Sequence, residues 1–350
     1  MAQNVGTPRF YIDYLQYWDS LGLLYLKGAT ESDEPSTNHP EWIGLNPSNT
    51  ASFTSNTGGA YRDWLRFEAT IQDSLAIPDN MWAGAFGHNF KSADKGFGHR
   101  ENTEVGNEGH DNLVEIVNDG GNPDDTSKVP LDGFTMRTFK PRLNLISGPH
   151  FKVQGESPSG QEITIGSLGY GGYYDMQAPD LNLKLSYEYD GVKNIQTKGG
   201  ATLSSASYTK PADWGDRGAW QLGSGEGGQG ISNIRSGRRV WDLSFSFLAD
   251  TDIMPKVAAT TNYEATNGDY EYSENPNENT LLDGTDFFSV VYNRVLANHL
   301  PFIFNPNGGG TSPNNNPDQF AICRFVGNSL QYEQVNSNLY NVKLKIRETW

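Results

Sequence analysis

Three histidines each follow a glycine, in Gly87-His88-Asn89, Gly98-His99-Arg100 and Gly109-His110-Asp111. Neutral imidazole suits zinc, and loops can bring such side chains together. Steps of eleven residues match neither a helical pair one turn apart nor a strand pair, and no carboxylate stands at a familiar offset. The expectation is loop histidines that hydrogen-bond locally, with no metal site.

Other chemical motifs fail on context. Gly223-Ser-Gly225-Glu-Gly-Gly228 carries the letters of a dinucleotide fingerprint, but no helix follows to receive a pyrophosphate, so it reads as a loop and no cofactor is expected. Asn118–Asp125 is dense in oxygen ligands, yet Leu131 stands where a calcium loop needs a bidentate glutamate. There is no Gly-x-Ser-x-Gly elbow, His-Glu-x-x-His pair or phosphate-binding Gly-Lys-Ser/Thr loop. Glycoside hydrolysis needs two carboxylates at a fixed separation, and nothing in the residue order selects a pair. Cys323, the single cysteine, excludes an internal disulfide and lies in the apolar stretch Phe320–Val326, as a small buried hydrophobe would. Trp214 and Trp220, beside Asp213, Asp216 and Arg217, offer either a glycan-stacking platform or two rings covering a neighbouring strand or subunit.

Composition narrows the partners. A formal net charge of −16 repels phosphate, so nucleic acid is excluded as an expected partner. One compact basic spot, Arg235-Ser-Gly-Arg238-Arg239, reads as a strand entrance or protein contact. The N-terminus lacks the pattern of a secretion signal and no apolar run reaches a membrane span, so the expectation is synthesis and assembly in a cytoplasm without membrane insertion. The 39 glycines and 18 prolines, with aromatics at 12 %, suit many short strands joined by turns.

The elements that would position these residues follow from periodicity. Phe10–Asp19 is read as a strand, although Leu15 and Trp18 also fit a helical face; Tyr61–Ser74 fits either. Trp82–Gly87 reads as a short buried strand ending in a turn at His88-Asn89. Phe151–Val153 and Ile163–Ile165 read as strands, and Gly166–Gly172 as a place where backbones approach closely or bulge. Leu181, Leu183, Leu185, Tyr187 and Tyr189 alternate cleanly, as do Trp241, Leu243, Phe245 and Phe247. One helix is expected over 285–297, with Phe288, Val291, Val295 and Leu296 on one face and Thr285 as N-cap. In the final strand Tyr340, Val342, Leu344 and Ile346 alternate with Asn341, Lys343, Lys345 and Arg347, so the end closing on Trp350 is expected to finish a sheet or dock against something. The fold expected is mostly β with a minor α+β character: two β-sandwich or β-barrel-like domains, 1–178 and 179–350, with the helix and terminal strand in the second.

Several stretches resemble virion structural proteins of tailed bacteriophages, especially those of marine phages: Asp175-Met-Gln-Ala-Pro-Asp-Leu-Asn-Leu-Lys-Leu, Gly237-Arg-Arg-Val-Trp-Asp-Leu-Ser-Phe-Ser-Phe, Leu300-Pro-Phe-Ile-Phe-Asn-Pro, Asn316-Pro-Asp-Gln-Phe-Ala-Ile-Cys-Arg-Phe and Tyr340–Trp350. Ala83-Gly-Ala-Phe-Gly-His88-Asn89-Phe90 looks like the strand and turn of a galactose-binding-like β-sandwich, which the resemblance assigns to 1–178. The terminal half is similar to distal-tail and baseplate proteins. The resemblance implies a non-enzymatic tail component of the virion, forming a symmetric ring of copies and connecting the tail to receptor-binding parts. A decoration or fibre-linking module, or one that attaches to host-surface glycan through Trp214 and Trp220, is the alternative. Expected assembly contacts are Arg235, Arg238, Arg239, Tyr340 and Trp350.

Overall fold

Apolar runs without alternation form strands buried on both faces, and alternating runs form strands buried on one. The computed structural model describes residues 5–30, 40–46, 51–54, 65–71, 75–76, 78–93, 96–102, 113–115, 129, 131–140, 145–146, 148–154, 162–189, 192–205, 237–258, 264–266, 269–271, 281 and 284–349. It is mostly β, as expected. The elements used below are β1 (Arg9–Tyr11), α1 (Tyr14–Ser20), β2 (Met81–Phe86), β3 (Phe134–Phe139), β4 (Ser167–Asp175), β5 (Lys184–Glu188), β6 (Lys193–Gln196), β7 (Thr202–Ser205), β8 (Arg238–Ala249), α2 (Asp250–Ile253), β9 (Phe302–Asn305), β10 (Ala321–Phe325), β11 (Tyr332–Asn336) and β12 (Leu339–Glu348).

A ten-stranded sheet runs in the order β5-β8-β12-β10-β9-β1-β4-β2-β3, with β11 also pairing β12. Its strand pairings are antiparallel. The sheet crosses the division expected at residues 178 and 179 through β1, which sits between β4 and β9 in the registers Phe10↔Tyr174 and Phe10↔Phe304. A second, five-stranded sheet orders the segments Leu24–Thr30, Leu65–Ile71, Gly148–Gln154, Gly96–Asn102 and Leu113–Glu115. The segment Tyr61–Ser74, open in sequence, therefore contains a strand.

β1 lies where the sheet is covered on both sides. Phe10 packs against Phe287, Phe302, Phe304 and Phe325 on one face. Tyr11, on the other, meets Trp82, Tyr173 and Phe320. The unbroken runs Met81–Phe86 and Phe302–Asn305 are buried at every residue. Gly171 of β4 is required by close approach, since a Cβ there would run into the Ile12 carbonyl.

Two sequence expectations change. Phe10–Asp19 is a strand only to Tyr11, after which Asp13 caps α1: Leu15 N donates to Asp13 Oδ1 at 3.0 Å. The helical face containing Leu15 and Trp18 was the governing pattern, and both residues are buried. The helix of 285–297 forms as a π-helical turn at Phe288–Tyr292, flanked by further turns. Asn293 N donates to Phe288 O at 2.8 Å and Ala297 N to Tyr292 O at 3.0 Å, each five residues back. The cap is Asp286 rather than Thr285, because Ser289 N donates to Asp286 Oδ1 at 3.0 Å. Phe287, Val291 and Val295 are fully buried, while Phe288 and Leu296 are only half-buried.

Candidate assembly surface

Strand β8 organises the region. Trp241, Leu243 and Phe245 point inward and are buried, opposite Ile346, Leu344 and Val342 of β12. Asp242 and Ser244 point outward, as the two-residue period of a strand requires.

Arg239, expected as an assembly contact, is instead an internal strut. Its side chain is 3 % exposed and pairs at 3.1 Å with Glu348, itself 5 % exposed. The guanidinium also donates to Asp318 O at 2.9 Å and Phe320 O at 3.1 Å, and lies 5.2 Å from the Trp241 ring. Buried charge is tolerated there because a counter-ion and several acceptors surround it. Arg238, the next residue, is half-buried on the outward side of β8. Tyr340, another expected contact, is half-buried and packs edge-on against Tyr332 at 6.5 Å. Arg235, Trp214, Trp220 and Trp350 lie outside the described residues.

The terminal strand lies inside the sheet and does not end it: β12 pairs with β8 on one side and with β10 and β11 on the other. The sheet path ends instead at β5 and β3.

At the far end of β8 the alternation breaks. A register shift between Phe245 and Leu248 places Ser246 and Phe247 in a β-bulge. Phe247, in phase with the buried face by sequence, turns outward and is 68 % exposed. Its backbone adopts φ 58°, and its N donates to Asn341 Oδ1 at 3.2 Å. A bulky residue in the left-handed region carries strain of about 1–3 kcal/mol. The turn before β5 lies alongside: Asp180 N donates to Ser244 O at 2.8 Å, and Ser246 Oγ to Asp180 Oδ2 at 2.8 Å. Leu181, in that turn, is fully exposed.

The outward face around the bulge is rich in cations. Lys184, Asp242 and Lys345 share one row across β5, β8 and β12, and Ser244 faces Lys343. Arg347 is paired in register with Arg324 and bonded to Glu188 at 2.9 Å. Glu333 of β11 stands opposite Asn341. Beyond β5, the β6–β7 hairpin is exposed along both strands, and its cross-strand pair Ile195 and Leu203 is 63 % and 60 % exposed.

Groups suited to reaction chemistry occupy other positions. His88 is buried and stacked on Phe90 at 4.1 Å; Phe90 N donates to its Nδ1 at 3.3 Å, and burial pushes its pKa down to about 3. His110 lies outside the described residues, as do Gly223–Gly228 and Asn118–Asp125. Among the described residues no group of three or more His, Cys, Asp and Glu side chains could hold a metal ion. Cys323 is buried in β10, and burial, with Glu348 nearby, pushes its thiol well up. Asp13 is also buried; burial raises its pKa to about 7 against the lowering effect of hydrogen bonds from Gln16, Tyr170 and Leu15. That carboxyl caps α1 and fastens it to β4, with Gln16 Nε2 donating at 2.8 Å and Tyr170 N at 3.4 Å.

No family model matches the sequence, and no curated protein matches it.

Proposed function

We propose that this chain is a non-enzymatic structural protein of a tailed-phage virion, a tail or baseplate component similar to distal-tail proteins. Copies assemble in the host cytoplasm into a symmetric ring that joins the tail to receptor-binding parts. The observation that carries the reading is the uncovered apolar surface: Ile195, Leu203, Leu181 and Phe247 face solvent in a chain that buries Trp18, Trp42, Trp82 and Trp241 completely. Apolar side chains exposed at a bulge, a turn and a hairpin are what contact with further subunits would cover. The stretches that resemble phage virion proteins, from Asp175 onward and at Tyr340–Trp350, are what suggest that particle.

The test is mass photometry and negative-stain microscopy of the purified full chain, with immunogold labelling of virions. Closed rings and label at the tail are the expected result. A monomer that turns over a substrate, with unlabelled particles, would refute the reading.

A further inference from the structure

The bulge in β8 is the feature that the fold itself leaves unexplained. Strict alternation would have put Phe247 on the buried face beside Phe245. The extra residue sends the ring outward, in a backbone conformation that side chains other than Gly and Asn seldom adopt. Bulges re-aim side chains in this way. Within the monomer the arrangement combines backbone strain with a solvated aromatic ring, and both disadvantages are offset once the ring enters a pocket on a partner.

The surroundings select the partner. The turn that carries the exposed Leu181 is bonded through Asp180 to Ser244 and Ser246, beside Phe247 in the chain, and along the same face of β12 stand Lys343, opposite Ser244, then Lys345 with its row-mate Lys184. Arg238, Arg324 and Arg347 extend the cationic side, while Asp180, Glu188, Asp242 and Glu333 moderate it. A chain of formal charge −16 has cations in the minority on the rest of its surface. Two such chains repel least where one presents this face to an acidic surface of the other.

We infer that Phe247 is the anchor, and Lys343, Lys345 and Lys184 the charged rim, of the contact through which one copy of this chain docks on an acidic surface of a second copy. The inference rests on the reading that copies assemble, and adds which surface they use. Contact is heterologous, since a cationic face meets an acidic one, and repetition of such a contact closes a ring when the rotation permits.

Sedimentation velocity of the full chain over a concentration series, alongside thermal unfolding, tests it. Phe247→Asn keeps a residue that tolerates positive φ and removes the ring. It should weaken self-association by about tenfold or more while the thermal midpoint stays level or rises. Lys343→Glu with Lys345→Glu, at two exposed strand positions, should weaken association similarly, and Phe247→Trp should retain it. Wild-type assembly matched by both the Asn and the double Glu variants would overturn this surface and leave the assembly reading intact. A wild-type chain monomeric throughout the series would overturn both. Retention on immobilised DNA, abolished by the double Glu variant, would give the face to nucleic acid and equally overturn the inference.

Discussion

The two ends of β8 solve opposite problems with one strand. At Arg239 a charge lies inside the protein and is matched by Glu348 and two backbone carbonyls. At Phe247 an apolar ring lies outside, on strained backbone, with 68 % of its surface exposed. Residue type alone would have reversed the two locations. A side chain's place is set by strand phase and by the partners available there; hydrophobicity is only one contribution. The charge at Arg239 is matched within the chain, whereas at Phe247 the apolar ring is left in water on a positive-φ backbone.

The largest expected effect comes from the Arg239 end. Arg239→Ala leaves Glu348 buried without its cation and strips two carbonyls of a donor, so urea unfolding should show a loss of about 3–5 kcal/mol. Replacing both members, as Arg239→Met with Glu348→Leu, should recover only part of that loss, because the carbonyls of Asp318 and Phe320 remain unmatched. A loss below about 1 kcal/mol for the single variant would mean that Arg239 behaves as a surface cation.

This contrast shows how far the sequence could be read. Arg239 is in phase with Trp241, Leu243 and Phe245, and Glu348 with Val342, Leu344 and Ile346. Parity therefore places both charges on the apolar face, a signal that reading Arg239 with Arg235 and Arg238 as a basic spot leaves unused. The β character and the alternation of β8 and β12 were legible for the same reason, that side-chain period is local, and the burial of Cys323 from the apolar stretch around it. The bulge was not, since nothing in Ser246-Phe247-Leu248 marks an inserted residue, and bulges depend on pairing with a distant strand. α1 was misread because Tyr and Trp favour strands on propensity, while the decisive residue, the cap Asp13, acts through side-chain hydrogen bonds to the first turn and to β4.

A second buried ionisable group sharpens the comparison, because the hydrogen-bond donors to Asp13 are the neutral groups Leu15 N, Gln16 Nε2 and Tyr170 N. Its pKa is about 7 folded against an ordinary value of 3.8, so the folded state holds a proton that the unfolded chain releases between those values. The associated stability is fully present below pH 3.8 and is lost as pH rises through about 7. His88, held neutral with a pKa of about 3 against 6.5, works in the opposite sense and loses its contribution as pH falls. Comparing Asp13→Asn with wild type cancels the His88 effect. The variant should gain about 2–3 kcal/mol relative to wild type between pH 5 and pH 8. A difference that does not vary with pH would show that the Asp13 carboxyl is ionised at both.

At the Phe247 end the sign reverses, since removing a residue should help the monomer. Phe247→Gly relieves the positive φ without disturbing a buried contact, and an increase of about 1 kcal/mol in unfolding free energy is expected. A clear loss would show that the ring is packed within its own chain, and the contrast with Arg239 would fail.

The smallest effect is expected in the β6–β7 hairpin. Ile195→Thr with Leu203→Thr keeps β-branched or strand-compatible residues at a directly opposed pair and removes two exposed apolar surfaces. The apolar groups removed are more than half in water already, so folding stability should move by no more than about 0.5 kcal/mol. Assembly is a separate readout on the same sample. If these side chains are covered by neighbouring subunits, ring formation should weaken while the melting curve stays in place, because the lost burial belongs to the assembled state alone. A melting point lowered in strict proportion to lost assembly, at concentrations where wild type is monomeric, would instead make the hairpin part of the monomer's own core and move it to the side of the comparison occupied by Arg239.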